Sequence, residues 1–326
     1  MTEIDHRPIL FIDGLGLFIR GFLANPSLNS NGSQIGGIVG FMNNVRFLLD
    51  TFKPFGIIVV WESGGSARRR AIYPDYKSGK RPQKLNRFYE DDIPDSLENR
   101  NWQIQSIVSA LRKLPICQVY VKDCEADDVI GYLSRYTFRD RKRIIVSSDK
   151  DFYQLLDDDT TMWSPYRKEI ITRETVLKDF SVHPKNFAVA KAFCGDASDN
   201  IPGLPRVGFK TLAKNFPVIS TDSEVTVGDI IDEAKVLSSK KKSPSKMLTS
   251  IVENADDARR NWKLVELDLQ NIQQQSISKI RNAIETFVPS RNKMDLIRLF
   301  ISQGVTSIDI DRLFLSCAII QEKLTE

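Results

Sequence analysis

The stretch Cys124-Glu125-Ala126-Asp127-Asp128-Val129-Ile130 places three carboxylates within four residues and then turns apolar. It reads as the first turn of a helix, because acidic side chains complement the positive end of the helix dipole. Three like charges this close raise one another's pKa. A cation should therefore sit among them, either an arginine or a metal ion.

Working outward, residues 116–121 read as a strand that feeds this acidic helix. Residues 8–13, Pro-Ile-Leu-Phe-Ile-Asp, form a short apolar run ending on Asp13, and residues 56–62, Gly-Ile-Ile-Val-Val-Trp-Glu, repeat the pattern and end on Glu62. Such runs are those of strands buried on both faces. A Gly/Ser/Asn-rich turn (25–37) and an amphipathic helix (about 36–52) lie between them, which makes a βαβ unit. A fourth strand, 143–147, is followed by Ser148-Asp149-Lys150-Asp151. In open parallel sheets ligands bind outside the carboxyl ends of the strands. One acid after a strand is ordinarily a helix cap. Four strand ends delivering Asp13, Glu62, the Glu125/Asp127/Asp128 group and Asp149/Asp151 to one edge point instead to a metal site. Oxygen-only ligation indicates magnesium or manganese.

Composition bounds the rest. The 326 residues are 41% hydrophobic and 27% charged, ordinary values for a soluble globular protein. Four cysteines form no Cys-x-x-Cys pair and only His6 and His183 are histidines, which argues against zinc or a disulfide framework and for a reducing cytoplasm. The acidic N-terminus lacks an apolar signal core, and no run approaches the length of a membrane span. Net charge is +4. With nine acids gathered in one site, the other 33 face 46 Lys and Arg, a balance suited to a polyanionic partner.

Residues 68–87 hold eight cations (Arg68, Arg69, Arg70, Lys77, Lys80, Arg81, Lys84 and Arg87) against one acid, Asp75, with Tyr73 and Tyr76 interleaved. This content suits phosphate and base contacts. An acidic patch (90–98) and a helix of about 98–113 follow.

With these pieces quoted, the chain resembles the flap endonuclease / 5′-3′ exonuclease family, most of all its phage members of the T-even ribonuclease H type. The matching pieces are Phe-Ile-Asp13-Gly with Arg20, Arg69-Arg70-x-x-Tyr-Pro-x-Tyr76-Lys77, Glu125-Ala-Asp127-Asp128 and Ser-Ser-Asp149-Lys-Asp151-Phe-x-x-Leu, with Met-Trp-Ser-Pro at 162–165. The resemblance implies an α/β fold: a mostly parallel central sheet flanked by helices (PIN/flap-endonuclease-like), residues 1–180, carrying a basic arch segment at about 66–105. Residues 181–326 would be a helical DNA-binding domain with a helix-three-turn-helix at about 186–216.

Within that element, Gly203 and Gly208 with Lys210 faintly suggest a Walker phosphate loop, but Phe209 separates glycine from lysine and the reading fails. The family reading has glycine-rich turns (Gly203, Val207, Gly208, Lys210) approaching duplex phosphates. Helical spacing at 256–268, 276–287 and 292–302 suggests a small helical domain, and the apolar tail 308–320 reads as core. Residues 238–246 form a polar basic loop.

The resemblance also implies roles. Asp13, Glu62, Glu125, Asp127, Asp149 and Asp151, with Asp128, Asp196 and Asp199 nearby, would bind two Mg2+ ions, with Mn2+ substituting, which favours magnesium over arginine as the relieving cation. Lys77, with Lys80 or Arg81 as second cation, would act on the scissile phosphate. Arg20, Arg69, Arg70 and Tyr76 would contact nucleic acid. Two departures stand out: relatives often have Asp where Glu62 stands, and Arg where Lys80 stands. The expected activity is 5′-3′ exonuclease and flap endonuclease cleavage at 5′ ends of branched or nicked DNA duplexes and RNA–DNA hybrids, as in RNA primer removal during replication. A single-strand-binding protein or sliding clamp is the candidate protein partner, and a monomer in the cytoplasm of the cell (the host cell if phage-encoded), away from membranes, is the expected state. The alternative is a non-catalytic branched-DNA-binding protein.

Overall fold

The structure, a computed structural model, describes residues 6–78, 97–240, 242–321 and 323–324. Its first half runs β1 (Ile9–Asp13), α1 (Gly14–Ala24), α2 (Gly36–Phe52), β2 (Gly56–Ser63), α3 (Ala67–Ile72), α4 (Leu97–Leu111), β3 (Cys117–Lys122), α5 (Ala126–Tyr132), β4 (Arg143–Val146), β5 (Thr160–Ser164), β6 (Glu169–Ile171) and α6 (Arg173–Phe180). The second half is helical: α7 (Phe187–Cys194), α8 (Phe209–Asn215), α9 (Val227–Ser239), α10 (Lys246–Glu253), α11 (Ala255–Val265), α12 (Gln274–Glu285), α13 (Lys293–Ser302) and α14 (Ile310–Cys317). The most basic part of the expected arch, with Lys80, Arg81, Lys84 and Arg87, lies outside the described residues.

The strands form one sheet in the order β3-β2-β1-β4-β5-β6. All neighbours are parallel except β5 and β6. The apolar runs are explained by burial on both faces. Ile9 and Phe11 of β1, Ile58 and Val60 of β2 and Ile145 of β4 enter one hydrophobic cluster. Their alternating neighbours Leu10, Ile12, Ile57, Val59, Ile144 and Val146 enter the other. The chain lays β2 and β3 to one side of β1 and β4 to the other, so the order reverses between β1 and β4. A crevice opens outside the carboxyl ends of the strands at such a switch point.

The helical second half packs on the sheet layers as well as on itself. α11 lies on α7, α12 on β3, and α14 on α2 with α13 beside it. Ile277, Ile280 and Ile284 of α12 join one sheet-face cluster, while Leu296 and Phe300 of α13 and Leu313 of α14 join the opposite one. Each helix has a single apolar stripe, and the sheet offers the larger apolar surfaces to cover. The tail is core, with Leu313, Cys317 and Ile320 buried.

Helices α1 and α2 cross at Gly21 and Gly40. A Cβ at Gly40 would stand 2.5 Å from the Cα of Gly21, a backbone atom that cannot swing away. This close crossing sets the position of α1, which carries Asp13 at its N-cap. Gly40→Ala should lower stability by about 1–3 kcal/mol through overpacking, against a helix-propensity gain of about 1 kcal/mol. Urea unfolding measures the difference, and a stabilised variant would contradict the crossing.

Candidate active site

The three acids of the opening stretch meet an arginine. Ser66 caps α3, its hydroxyl accepting from Arg69 N at 3.1 Å, and the helix turns Arg69 inward to 1% exposure. Its two terminal nitrogens donate to the two carboxylate oxygens of Asp128 at 2.7 and 2.8 Å. One of them also donates to Glu125 Oε2 at 3.0 Å, and Nε donates to the Leu264 carbonyl at 2.7 Å. Burial works against the Arg69 charge, but Asp128 and then Asp127 outweigh it and hold its pKa above the ordinary value. Burial likewise opposes the Glu125 charge, yet Arg69 and Lys77 keep its pKa below the usual carboxylate value.

Three expectations are corrected here. Asp128, 1% exposed, is the buried ion-pair partner of Arg69, with both oxygens already accepting from its guanidinium. Arg69 is too deeply buried to touch nucleic acid. Tyr76 is 3% exposed and donates its hydroxyl to Glu125 Oε2 at 2.8 Å, so it too is internal. Arg70 is exposed, with Nη2 on the Gly64 carbonyl at 2.7 Å.

Lys77 stands beside this network. Its Nζ donates to Glu125 Oε2 at 3.0 Å and lies 3.9 Å from Asp199 Oδ2, with the side chain 34% exposed. Its φ of +53° is a left-handed conformation that only a surrounding structure can impose on a lysine. The imposing bonds come from the 199–200 loop. Lys77 N donates to the Asp199 carbonyl at 2.9 Å, while Asn200 Nδ2 donates to the Asp75 carbonyl at 2.9 Å and to Ser78 Oγ at 3.1 Å.

The remaining acids line the switch point. Asp13 ends β1 and caps α1, accepting from Gly16 N at 2.9 Å. A side chain at Gly16 would collide with this carboxylate, its Cβ falling 2.3 Å from Asp13 Oδ2. Burial raises the Asp13 pKa to about 6; the Gly16 bond lowers it, and the charges of Glu62 and Asp149 raise it further. Asp149 is exposed and caps the turn that carries Asp151. Burial pushes Asp151 up to about 7 despite Lys191, with Asp149 and Asp199 adding to the rise. Oxygens of Asp151, Asp196 and Asp199 lie within 4.8 Å of one another. Glu62, on β2, accepts from Ala126 N at 3.0 Å at the mouth of α5. Burial also raises Asp127. Carboxylate oxygens alone, with Asp13, Asp127, Asp151 and Asp199 held above their ordinary pKa first by burial and then by neighbouring carboxylates, fit a hard divalent cation.

Sequence reasoning missed Lys191. It is 5% exposed and bridges Asp151 and Asp196. The signal was present: a single lysine inside Phe-Ala-Val-Ala-Lys-Ala-Phe-Cys must be buried with α7 and must find an acid. In the following connector, Val207 is 9% exposed and its N–H is spent on the Leu204 carbonyl, so it offers no donor to a phosphate. Gly203 packs on the Cys194 carbonyl, whereas Gly208 faces open space and Lys210 is exposed on α8.

Three of these acids, Asp13, Asp149 and Asp196, line an open cleft of about 1060 Å³ together with Arg20 and Lys191, while Glu62 lines a neighbouring pocket. Residues 8–181 match the family described as 5'-3' exonuclease, N-terminal resolvase-like domain. The chain belongs to the 5′-3′ exonuclease family. The members of this family are metal-dependent nucleases that hydrolyse phosphodiester bonds. A 5'-3' exonuclease of Buchnera aphidicola is 30% identical over 214 residues, covering 65% of this chain and 70% of that protein. One from Aquifex aeolicus is 33% identical over 207 residues, covering 63% and 67%. The fold is also that of the bacteriophage T5 D15 flap endonuclease, solved as a pseudo-enzyme–product complex with DNA and metal ions, at a TM-score of 0.66 and 18% identity over 95% of this chain and 98% of that one.

Two predictions follow from the electrostatics. Arg69→Ala leaves Asp128 buried without its cation and Glu125 with Lys77 alone, and should cost about 3–5 kcal/mol in urea unfolding, partly recovered by adding Asp128→Ala; an unchanged midpoint would refute the network. Asp13 and Asp151, with folded pKa values of about 6 and about 7, bind protons more tightly folded than unfolded. Their stabilisation is complete below the ordinary carboxylate range and is lost as pH rises through about 6 to 7. Protein in EDTA should melt lower at about pH 8 than at about pH 5.5, and a divalent cation should reverse the fall. His183, whose pKa burial lowers, opposes this trend, so a His183→Asn background isolates it; a flat or rising profile there would contradict the acid field.

Proposed function

We propose that the chain cleaves phosphodiesters next to 5′ ends in nicked or branched DNA and in RNA annealed to DNA, using two Mg2+ ions for which Mn2+ can substitute, and that it removes RNA primers during DNA replication. The observation that carries this reading is the set of strand-end acids, Asp13, Glu62, Asp149 and Asp151, joined by Asp127, Asp196 and Asp199 and standing beside the left-handed Lys77. The T5 neighbour, solved with DNA and metal ions, supports it.

These seven acids, with Glu125, would hold the ions, which when bound supply an ionised water and neutralise charge on the phosphate and leaving oxygen. Asp13 is aimed by its Gly16 bond, and Lys191 holds Asp151 and Asp196 together. Lys77 is the electrostatic partner of the scissile phosphate: its ammonium is charged throughout the working range, since Asp127 and Glu125 outweigh the effect of burial. Lys80 or Arg81 supplies a second cation; Lys80 in that place would act as a point charge rather than a bidentate clamp. Arg20, with no hydrogen-bond partner among the described residues, faces the cleft and would guide the backbone. Residues 1–180 carry the chemistry. Residues 181–326 contribute duplex contacts through a helix-three-turn-helix at about 186–216, in which Gly208 gives backbone access and Lys210 a phosphate contact. The protein works as a monomer in the cytoplasm, recruited by a single-strand-binding protein or a sliding clamp. No described helix is long and apolar enough to cross a membrane.

The alternative, a binder of branched DNA without catalysis, is disfavoured because buried acids at the floor of the cleft repel phosphates and serve no purpose in a binding surface.

Lys77→Ala should lower the cleavage rate by roughly two to three orders of magnitude with flap-DNA affinity retained, and Asp149→Asn should abolish cleavage. Digestion in magnesium of matched flap, nicked, single-stranded and RNA-primed substrates checks both; wild-type-like rates from Lys77→Ala would remove its role, and no cleavage by the unaltered protein would favour the binder.

A further inference from the structure

The strands β5 and β6 form a hairpin that closes through Pro165-Tyr166-Arg167-Lys168. The tip is held firmly. Lys168 takes φ +55° and its N–H donates to the Ser164 carbonyl at 2.8 Å. Arg167 N donates to Ser164 Oγ at 3.3 Å, and the Arg167 guanidinium reaches Asp179 at 3.0 Å. Tyr166 N donates to Ser148 Oγ at 3.4 Å, which fastens the tip to the loop that carries Asp149.

On this anchored tip the Tyr166 side chain is left almost wholly in solvent. It is 77% exposed, more than any other large aromatic ring among the described residues, and there it makes no hydrogen bond or ring contact. An exposed tyrosine on a hairpin tip is unremarkable by itself. This one lines the same cleft as Asp13, Asp149 and Asp196, together with the cations Arg20 and Lys150. A ring with two rotatable bonds on a fixed backbone, flanked by cations at the mouth of an acid-floored cleft, has the composition of a single-strand platform: aromatic face for the base, cations for the backbone.

We propose that Tyr166 is the stacking platform for one base of the substrate strand, the nucleotide adjoining the scissile phosphate. The proposal rests on the nuclease reading given above and deepens it. Base–aromatic stacking tolerates any sequence, because every base has a π face. It does discriminate by structure. A base inside a continuous duplex is already stacked on both sides, so Tyr166 offers it nothing. A base at a 5′ end or at a flap junction has an open face. Tyr166 therefore favours ends and junctions over continuous duplex, a selectivity that neither the acids nor Lys77 can provide.

The test uses the full-length protein and its Tyr166→Ala, Tyr166→Phe and Tyr166→Trp variants, none of which disturbs a packed group. A 5′-flap duplex carries 2-aminopurine at, in turn, each of the nucleotides flanking the junction, and binding is titrated in EDTA so that nothing is cut. At one position the fluorescence should be quenched by the unaltered protein and by the Phe and Trp variants, but not by Tyr166→Ala. Affinity should fall roughly 5- to 150-fold in Tyr166→Ala and stay near the original in Tyr166→Phe. An abasic nucleotide at that position should weaken the unaltered protein by a similar factor and leave Tyr166→Ala no weaker than before. Equal binding and quenching by Tyr166→Ala would overturn the proposal, as would a Tyr166→Phe variant as weak as Tyr166→Ala. Quenching by unaltered protein that then fails to cut in magnesium would sink the nuclease reading and leave the platform standing.

Discussion

A guanidinium shut away from water among three carboxylates is the interaction on which the rest of the site depends. Arg69 ties α3, which follows β2, to α5, which follows β3, and to the last turn of α11 through the Leu264 carbonyl. Each of these charges alone would be very costly to bury, and their mutual attraction offsets that cost only when every hydrogen bond is made. The network is therefore rigid as a condition of existing. It divides the acids of the opening stretch between two tasks. Asp128 takes both terminal nitrogens of Arg69, Glu125 is shared among Arg69, Tyr76 and Lys77, and Asp127 stands at the edge of the network, 3.8 Å from the guanidinium.

The sheet and the acid edge were legible in the sequence for one physical reason. A strand buried on both faces has no polar residue along its length, so the first carboxylate after it stands out. Asp13, Glu62 and Asp149 are such residues. β5 escaped notice because Thr160-Thr161-Met162-Trp163-Ser164 is not an apolar run, and β6 is only three residues long. The helices of the second half were legible as elements but their packing partners were not, since an amphipathic stripe shows that a surface is covered without showing which one. Whether α12 meets β3 or another helix depends on the shape of the sheet, which no local pattern carries.

The arginine run misled in a more specific way. Arg68, Arg69 and Arg70 follow one another on a single turn of helix, where successive side chains point about 100° apart, so they cannot share a role. Arg69 is turned into the protein, Arg68 lies half-buried against the Asn271 side chain, and Arg70 is exposed. A basic run read as one surface hides this, whereas the three acids at 125–128 already demanded a cation. The correct inference needed the two segments taken together: the chain had supplied its own counter-ion some fifty residues upstream.

The same pairing explains how Lys77 can be both fixed and available. Its backbone is locked by the 199–200 loop, so the root of the side chain does not wander. Its ammonium rests on Glu125 Oε2, an oxygen that also accepts from Arg69 and Tyr76. If the ammonium is drawn away, Glu125 keeps two donors and is not left as a bare buried charge. The cost of releasing Lys77 is thus far smaller than the cost of breaking an isolated buried pair. Without Arg69 behind it, Glu125 would hold the lysine too tightly to give it up. The buried ion pair is what lets the exposed cation leave Glu125 at small cost.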